Sequence, residues 1–213
     1  MKKNLTEVAF ILDRSGSMDH LTSDTIGGFN TFIDQQKQEA GECYLTTVLF
    51  DDRYDLLHDH INITEVKELT TRDYFARGMT ALRDAIGKTI NTVGARLAST
   101  SEEERPEKVI VVITTDGAEN SSKEFTSEKI KEMIEHQETK YNWEFIFMGA
   151  NIDSFGTAGG LGIDLNGVVD YSASSSGTKA LYSSIATKVS DVRNNRFLKK
   201  SMSEYMSEAE NED

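Results

Sequence analysis

Apolar residues recur along this chain in two alternating rhythms. Residues 7–13, EVAFILD, form a nearly unbroken apolar run, as a strand does when both of its faces are buried. Thr22 or Ser23 is then placed to cap a helix carrying Ile26, Phe29, Phe32 and Ile33 on one side. YLTTVLFDD (44–52) and YDLLHDHINI (54–63) read as two further strands, and the short acidic turn between them predicts a hairpin. The third strand is therefore expected to be an antiparallel edge. In RGMTALRDAIGKTINTVGARLA (77–98), Leu82, Ile86, Ile90, Val93 and Leu97 recur at helical spacing and predict an amphipathic helix.

The same alternation continues to the end of the chain. The polar stretch 99–107 holds the only proline and reads as a surface loop. EKVIVVITTDG (107–117) is the strongest strand, and Thr126 or Ser127 opens a helix with Ile130, Met133, Ile134 and Gln137 in register. WEFIFMGAN (143–151) is another buried strand. GTAGGLGI (156–163) reads as a turn or short helix, and GVVDYSA (167–173) as a short strand. A last helix is expected from Ser176 or Thr178, facing inward through Leu181, Ile185, Val189 and Val192. Strand–helix alternation with continuous apolar strands predicts an α/β fold: a doubly wound, mostly parallel sheet with helices on both faces. Such sheets bind ligands at the carboxyl ends of their strands, where neighbouring crossovers diverge.

Length and composition add limits. The 213 residues are 38% hydrophobic and 28% charged, enough apolar material for one core, and residues 1–203 are read as a single domain. Residues 204–213 contain five acidic and no basic residues and read as an acidic, disordered C-terminal tail. Just before them, Arg193, Arg196, Lys199 and Lys200 read as a solvated basic helix end. The net charge of −13 argues against nucleic-acid partners and against docking on anionic membranes. No secretory signal or membrane span is read, and the lone Cys43 forms no internal disulfide, so the expected compartment is the cytoplasm.

The candidate chemistry lies at strand ends. Asp13, Ser15 and Ser17 follow the first strand at every second position, and residues two apart in an extended segment point the same way. Asp116 follows the strand 107–117. If these strands are neighbours, both sets of oxygens meet on one rim. Hydroxyls and carboxylates without His or Cys suit Mg²⁺ or Mn²⁺ better than Zn²⁺. Arg14 and Met18 are expected to point away from such an ion, with Met18 an apolar contact at the rim. His20 reads as a loop histidine, and Asn151 and Asp153, after the strand 143–151, as caps for the next short helix. His58 and His60, sharing a strand face near Asp51 and Asp52, read as a charge-blunted edge rather than a second metal cluster.

These residues carry a resemblance. DRSGS (13–17) is similar to the Asp-x-Ser-x-Ser motif of the metal-ion-dependent adhesion site in von Willebrand factor type A domains. GMTAL (78–82) looks like the loop that supplies that site's threonine, here Thr80, and ITTDG (113–117) like the strand end that supplies its second aspartate, here Asp116. The resemblance spans about residues 5–195. It implies a six-stranded sheet in the order 3-2-1-4-5-6 with strand 3 antiparallel. It also implies Mg²⁺ (or Mn²⁺) coordinated by the hydroxyls of Ser15, Ser17 and Thr80, with Asp13 and Asp116 neutralising charge, often through water. An open coordination position would accept a Glu or Asp carboxylate of a partner protein.

The expected function is thus a non-enzymatic, cytosolic, Mg²⁺-dependent adaptor or assembly module, whose partner could be an AAA+ ATPase or another complex subunit. The alternative is a metal-assisted hydrolase or phosphatase using Asp13 as nucleophile, although such chemistry wants a second aspartate where Ser15 stands. A third reading is a structural domain that keeps the motif without binding metal.

Overall fold

The computed structural model describes residues 1–196 and 200–211. Six strands are β1 (Lys2–Asp13), β2 (Glu42–Phe50), β3 (Tyr54–Asn62), β4 (Pro106–Thr115), β5 (Glu144–Gly149) and β6 (Val168–Asp170). The α-helices among the described residues are α1 (Thr22–Gln38), α2 (Leu82–Ser99), α3 (Ser127–Tyr141), α4 (Ser154–Gly160), α5 (Ser175–Arg193) and α6 (Met202–Asn211). The strands form one sheet in the order β3-β2-β1-β4-β5-β6; only the β2–β3 pairing is antiparallel. This is the expected doubly wound α/β architecture.

β1 explains why the central strands read as unbroken apolar runs. Val8, Phe10 and Leu12 enter one core layer with Phe29 and Phe32 of α1 and Leu181, Tyr182 and Ile185 of α5. Ala9 and Ile11 point the other way, joining Ile86 and Ile90 of α2, Ile130 and Ile134 of α3 and Ala158 of α4. Alternate residues thus serve opposite faces, and neither face reaches water. Among the described residues no helix is long and apolar enough to cross a membrane.

Several local expectations need correction. Of the expected tail at 204–213, residues 204–211 instead belong to α6, whose Met202, Tyr205, Met206 and Ala209 are buried in the α1–α5 layer, and 212 and 213 lie outside the described residues. Tyr205 donates to Asp191 Oδ2 at 3.0 Å, and Lys200 pairs with Glu208. The basic stretch before it is a solvated end only in part: Arg196 is exposed, but Arg193 is not. Arg193 is buried and donates to Gln36 O (2.7 Å) and Gln36 Oε1 (2.9 Å), closing the end of α1. Lys199 lies outside the described residues.

Helix starts also differ. The chain enters α1 through a 3-10 turn, Gly16–Leu21, so no side chain caps it, and Met18 in that turn is buried instead of lying at a rim. The amphipathic helix begins at Leu82, after residues 77–81 form the expected loop, in which Gly78 has φ +68°. α3 is capped as expected by Thr126, which accepts from Lys129 N, whereas α5 starts earlier, on Ser174. His58 and His60 do not share a regular strand face: the β2–β3 register shifts twice opposite them, and His60 has φ +54°. His60 stacks on Tyr44 and bonds the buried Glu7, through Nδ1 and Oε2 at 3.1 Å.

Candidate metal centre

Strand register builds the site. β1 and β4 are parallel neighbours with Leu12 opposite Thr114, so Asp13 and Thr115 reach the rim side by side. Asp13 is fully buried, and both carboxylate oxygens are engaged: Oδ1 accepts from Ser15 N (2.7 Å) and Oδ2 from Thr115 Oγ1 (2.5 Å). The Asp13 carbonyl accepts from the buried Tyr74 hydroxyl at 2.6 Å. Beyond the strand ends, Ser15 Oγ lies 3.1 Å from Ser17 Oγ, and Ser17 Oγ donates to Asp116 Oδ1 at 2.6 Å.

Thr80 completes the group from a third loop. Its backbone is held reciprocally by Asn120: Thr80 N donates to Asn120 Oδ1 (2.9 Å), and Asn120 N donates to Thr80 O (3.0 Å). Gly117 measures the convergence. A Cβ placed there would lie 2.8 Å from Thr80 Oγ1, 3.3 Å from Ser17 Oγ and 3.5 Å from Ser15 Oγ. Three hydroxyls from two separate loops therefore crowd around one point beside Asp116, a point that only glycine leaves open.

The electrostatics favour a cation. Burial pushes the Asp13 carboxyl up to about 6, although hydrogen bonds from Thr115 and Ser15 pull the other way. Asp116 is also raised, again chiefly by burial, and its Oδ2 is buried without a protein partner. Arg14, the one strong cation within the motif, is turned aside to Asp51 and Asp55. Among the described residues neither carboxylate is ion-paired to a Lys or Arg, and one Asp116 oxygen lacks a donor. A small divalent cation with oxygen affinity would answer both. Among the described residues no cluster of three or more His, Cys, Asp or Glu is placed to hold an ion, so a metal here would depend on the hydroxyls.

All five residues expected from the sequence, Asp13, Ser15, Ser17, Thr80 and Asp116, are brought to this rim. Thr115, Tyr74 and Asn120, which hold them, escaped sequence reading. Thr115 stands beside Asp116 in the ITTDG string and could have been found as a rim hydroxyl; Tyr74 and Asn120 sit in irregular segments without a pattern. His20 bonds Ser17 O through Nδ1 at 2.9 Å, as a loop histidine, and Asp153 caps α4.

No protein-family model matches the chain, and no curated protein matches it by sequence. Solved structures match by shape. The von Willebrand factor domain of the type V pili tip protein Mfa5 from Porphyromonas gingivalis superposes with a TM-score of 0.62 at 11% identity, over 86% of this chain and 94% of that one. A von Willebrand factor type A structure from Catenulispora acidiphila gives 0.56 at 13%, over 88% and 42%. Proximal thread matrix protein 1 from the mussel byssus, with a zinc-occupied MIDAS motif (the metal-ion-dependent adhesion site), gives 0.55 at 16%, over 89% and 47%. This chain thus spans less than half of the last two. At these identities the likeness establishes the architecture: the chain has the von Willebrand factor type A fold. It carries that fold's Asp-x-Ser-x-Ser, Thr and Asp signature on the three loops above β1 and β4.

Proposed function

We propose that this chain is a protein-binding module whose contact is made through a divalent cation, Mg²⁺ or Mn²⁺, held by Ser15, Ser17 and Thr80 with Asp13 and Asp116 behind them. The observation that carries this reading is the crowding of three hydroxyls around Gly117 next to the unpartnered Asp116 Oδ2. The zinc-occupied motif named for the mussel protein supports divalent-metal binding as a property of such sites. The bound ion would supply an electrophilic position for one carboxylate of a partner, a Glu or Asp side chain. The chain's own part is to keep the ion's charge only partly neutralised. Neutral hydroxyls face the ion, and Asp13 has both oxygens committed to Ser15 N and Thr115 Oγ1. The expected setting is cytosolic assembly, with the partner a separate polypeptide.

The hydrolase alternative gains nothing from the geometry. A nucleophilic carboxylate must meet its substrate, whereas Asp13 is wholly buried and hydrogen-bonded on both oxygens. Calorimetric titration with Mg²⁺ and Mn²⁺ tests the reading: the wild type is expected to bind one ion, and Thr80→Ala to bind at least tenfold more weakly. Capture of a partner from native lysate in Mg²⁺ but not in EDTA, and not by Asp13→Ala, tests the contact. Equal capture under all three conditions would refute it.

A further inference from the structure

Beside the candidate metal centre lies an ion-pair hub that contributes no expected ligand. Asp51, immediately after β2, is completely buried, yet its Oδ2 accepts from both Arg14 Nε (3.1 Å) and Arg77 Nε (2.6 Å). The same two guanidinium groups converge again on Asp55 Oδ2, Arg77 at 3.1 Å. Phe75 lies against both, with its ring centroid 5.7 Å from Arg14 Cζ and 5.2 Å from Arg77 Cζ. Arg14 belongs to the Asp-x-Ser-x-Ser loop, Asp51 and Asp55 to the β2–β3 hairpin, and Arg77 to the loop that carries Thr80. One buried carboxylate therefore ties three loops together.

The backbone repeats the tie. Arg77 N donates to Arg14 O (2.8 Å), Gly16 N to Gly78 O (3.2 Å), and Ala81 N to Asp51 O (2.9 Å). Gly78 is in the left-handed region, and a side chain there would overlap Asp52. Thr80 is thus fixed on its N-terminal side by Arg77 and on its C-terminal side by Asp51, in addition to the Asn120 pair. Burying a carboxylate is costly unless it is fully paired, so a twice-paired Asp51 at this place calls for a role.

We propose that Arg77, Asp51 and Arg14, with Phe75 packed against both arginines, form a positioning device that holds the Thr80 loop against the Ser15–Ser17 loop and so preorganises the hydroxyls for the cation. This rests on the metal-dependent reading above. Positioning and plain electrostatics predict opposite signs. Arg77 is a positive charge near a cation site, so neutralising it would by Coulomb repulsion alone raise Mg²⁺ affinity. As a positioning residue its loss lowers affinity, by about tenfold on the scale of outer-shell partners of metal sites.

The experiment titrates Mg²⁺ into the wild type, Thr80→Ala, Arg77→Gln and Phe75→Ala, and follows amide exchange at Ala81 by NMR without metal. Arg77 and Phe75 are partly exposed, which limits damage to the fold; Phe75→Ala changes no charge and decides the matter if Arg77→Gln does not fold. Weaker Mg²⁺ binding and faster Ala81 exchange in both variants support the proposal. Unchanged or stronger binding in the folded variants, or weaker binding with unaltered Ala81 exchange, overturns it. Absence of binding by the wild type would instead overturn the metal-dependent reading, and the proposal with it.

Discussion

Gly117 shows how much a single position can decide. Its φ is not left-handed, so alanine is compatible with its backbone, but the added methyl would press on Thr80 Oγ1 from 2.8 Å. Contacts under 3 Å must be relieved by movement, and the group that moves is the hydroxyl proposed to bind the ion. Gly117→Ala is expected to keep the wild-type melting behaviour within about 1 kcal/mol while weakening Mg²⁺ binding about tenfold. Paired calorimetric and thermal measurements check both halves. A second residue reports on pH. His58 Nδ1 is buried without a partner, and burial holds the imidazole below its ordinary 6.5, against a smaller opposing pull from Asp73. The folded state therefore favours neutral His58. Its contribution to stability is complete above about 6.5 and is lost as the pH falls through the lower folded value. The wild-type minus His58→Gln difference in melting temperature should thus shrink on acidification from pH 7; a constant difference would contradict it.

Helices and strands divide sharply in how plainly the sequence announces them. The spacing of Leu82, Ile86, Ile90 and Val93 marks α2 without ambiguity because all four lie on one buried face. α6 carried an equally good signal: Met202, Tyr205, Met206 and Ala209 are spaced i, i+3, i+4 and i+7. A boundary drawn at the first acidic residue cut that stripe, and the acidic face hid the apolar one. Arg193 was illegible for a different reason, since its acceptors are Gln36 and carbonyls some 150 residues away in sequence. The rim residues fall between these cases. Ser15, Ser17 and Asp116 are readable as alternating oxygens after apolar runs, whereas Thr80 needed the resemblance, because nothing local says which loop folds over the rim. Two substitutions test helix packing. Met206→Ala should cost about 2–5 kcal/mol in denaturant unfolding, as a buried side chain rather than a tail residue. Gly28→Ala in α1 should destabilise by about 1–3 kcal/mol, because its methyl would overlap the Tyr182 ring of α5. That ring is itself stacked on Phe10 at 6.1 Å and has little room to yield, so overpacking outweighs the roughly 1 kcal/mol gained from helix propensity.

For the molecule as a whole, the proposed ion and the fold are thermodynamically linked. A ligand that binds only the folded chain stabilises it by about 2.7 kcal/mol at a hundredfold excess over its Kd. Melting in Mg²⁺ is expected to exceed melting in EDTA, with a smaller increment in Thr80→Ala. The net charge of −13 works in the same direction, drawing cations toward the surface. The two flanks of the sheet carry a further consequence. β3 is interrupted by two register shifts and by His60 at φ +54°, and β6 offers only three residues. Neither flank gives a straight run of free amides and carbonyls onto which another copy could add, strand upon strand, into a fibre. Both edges of the sheet therefore disfavour growth by lateral templating.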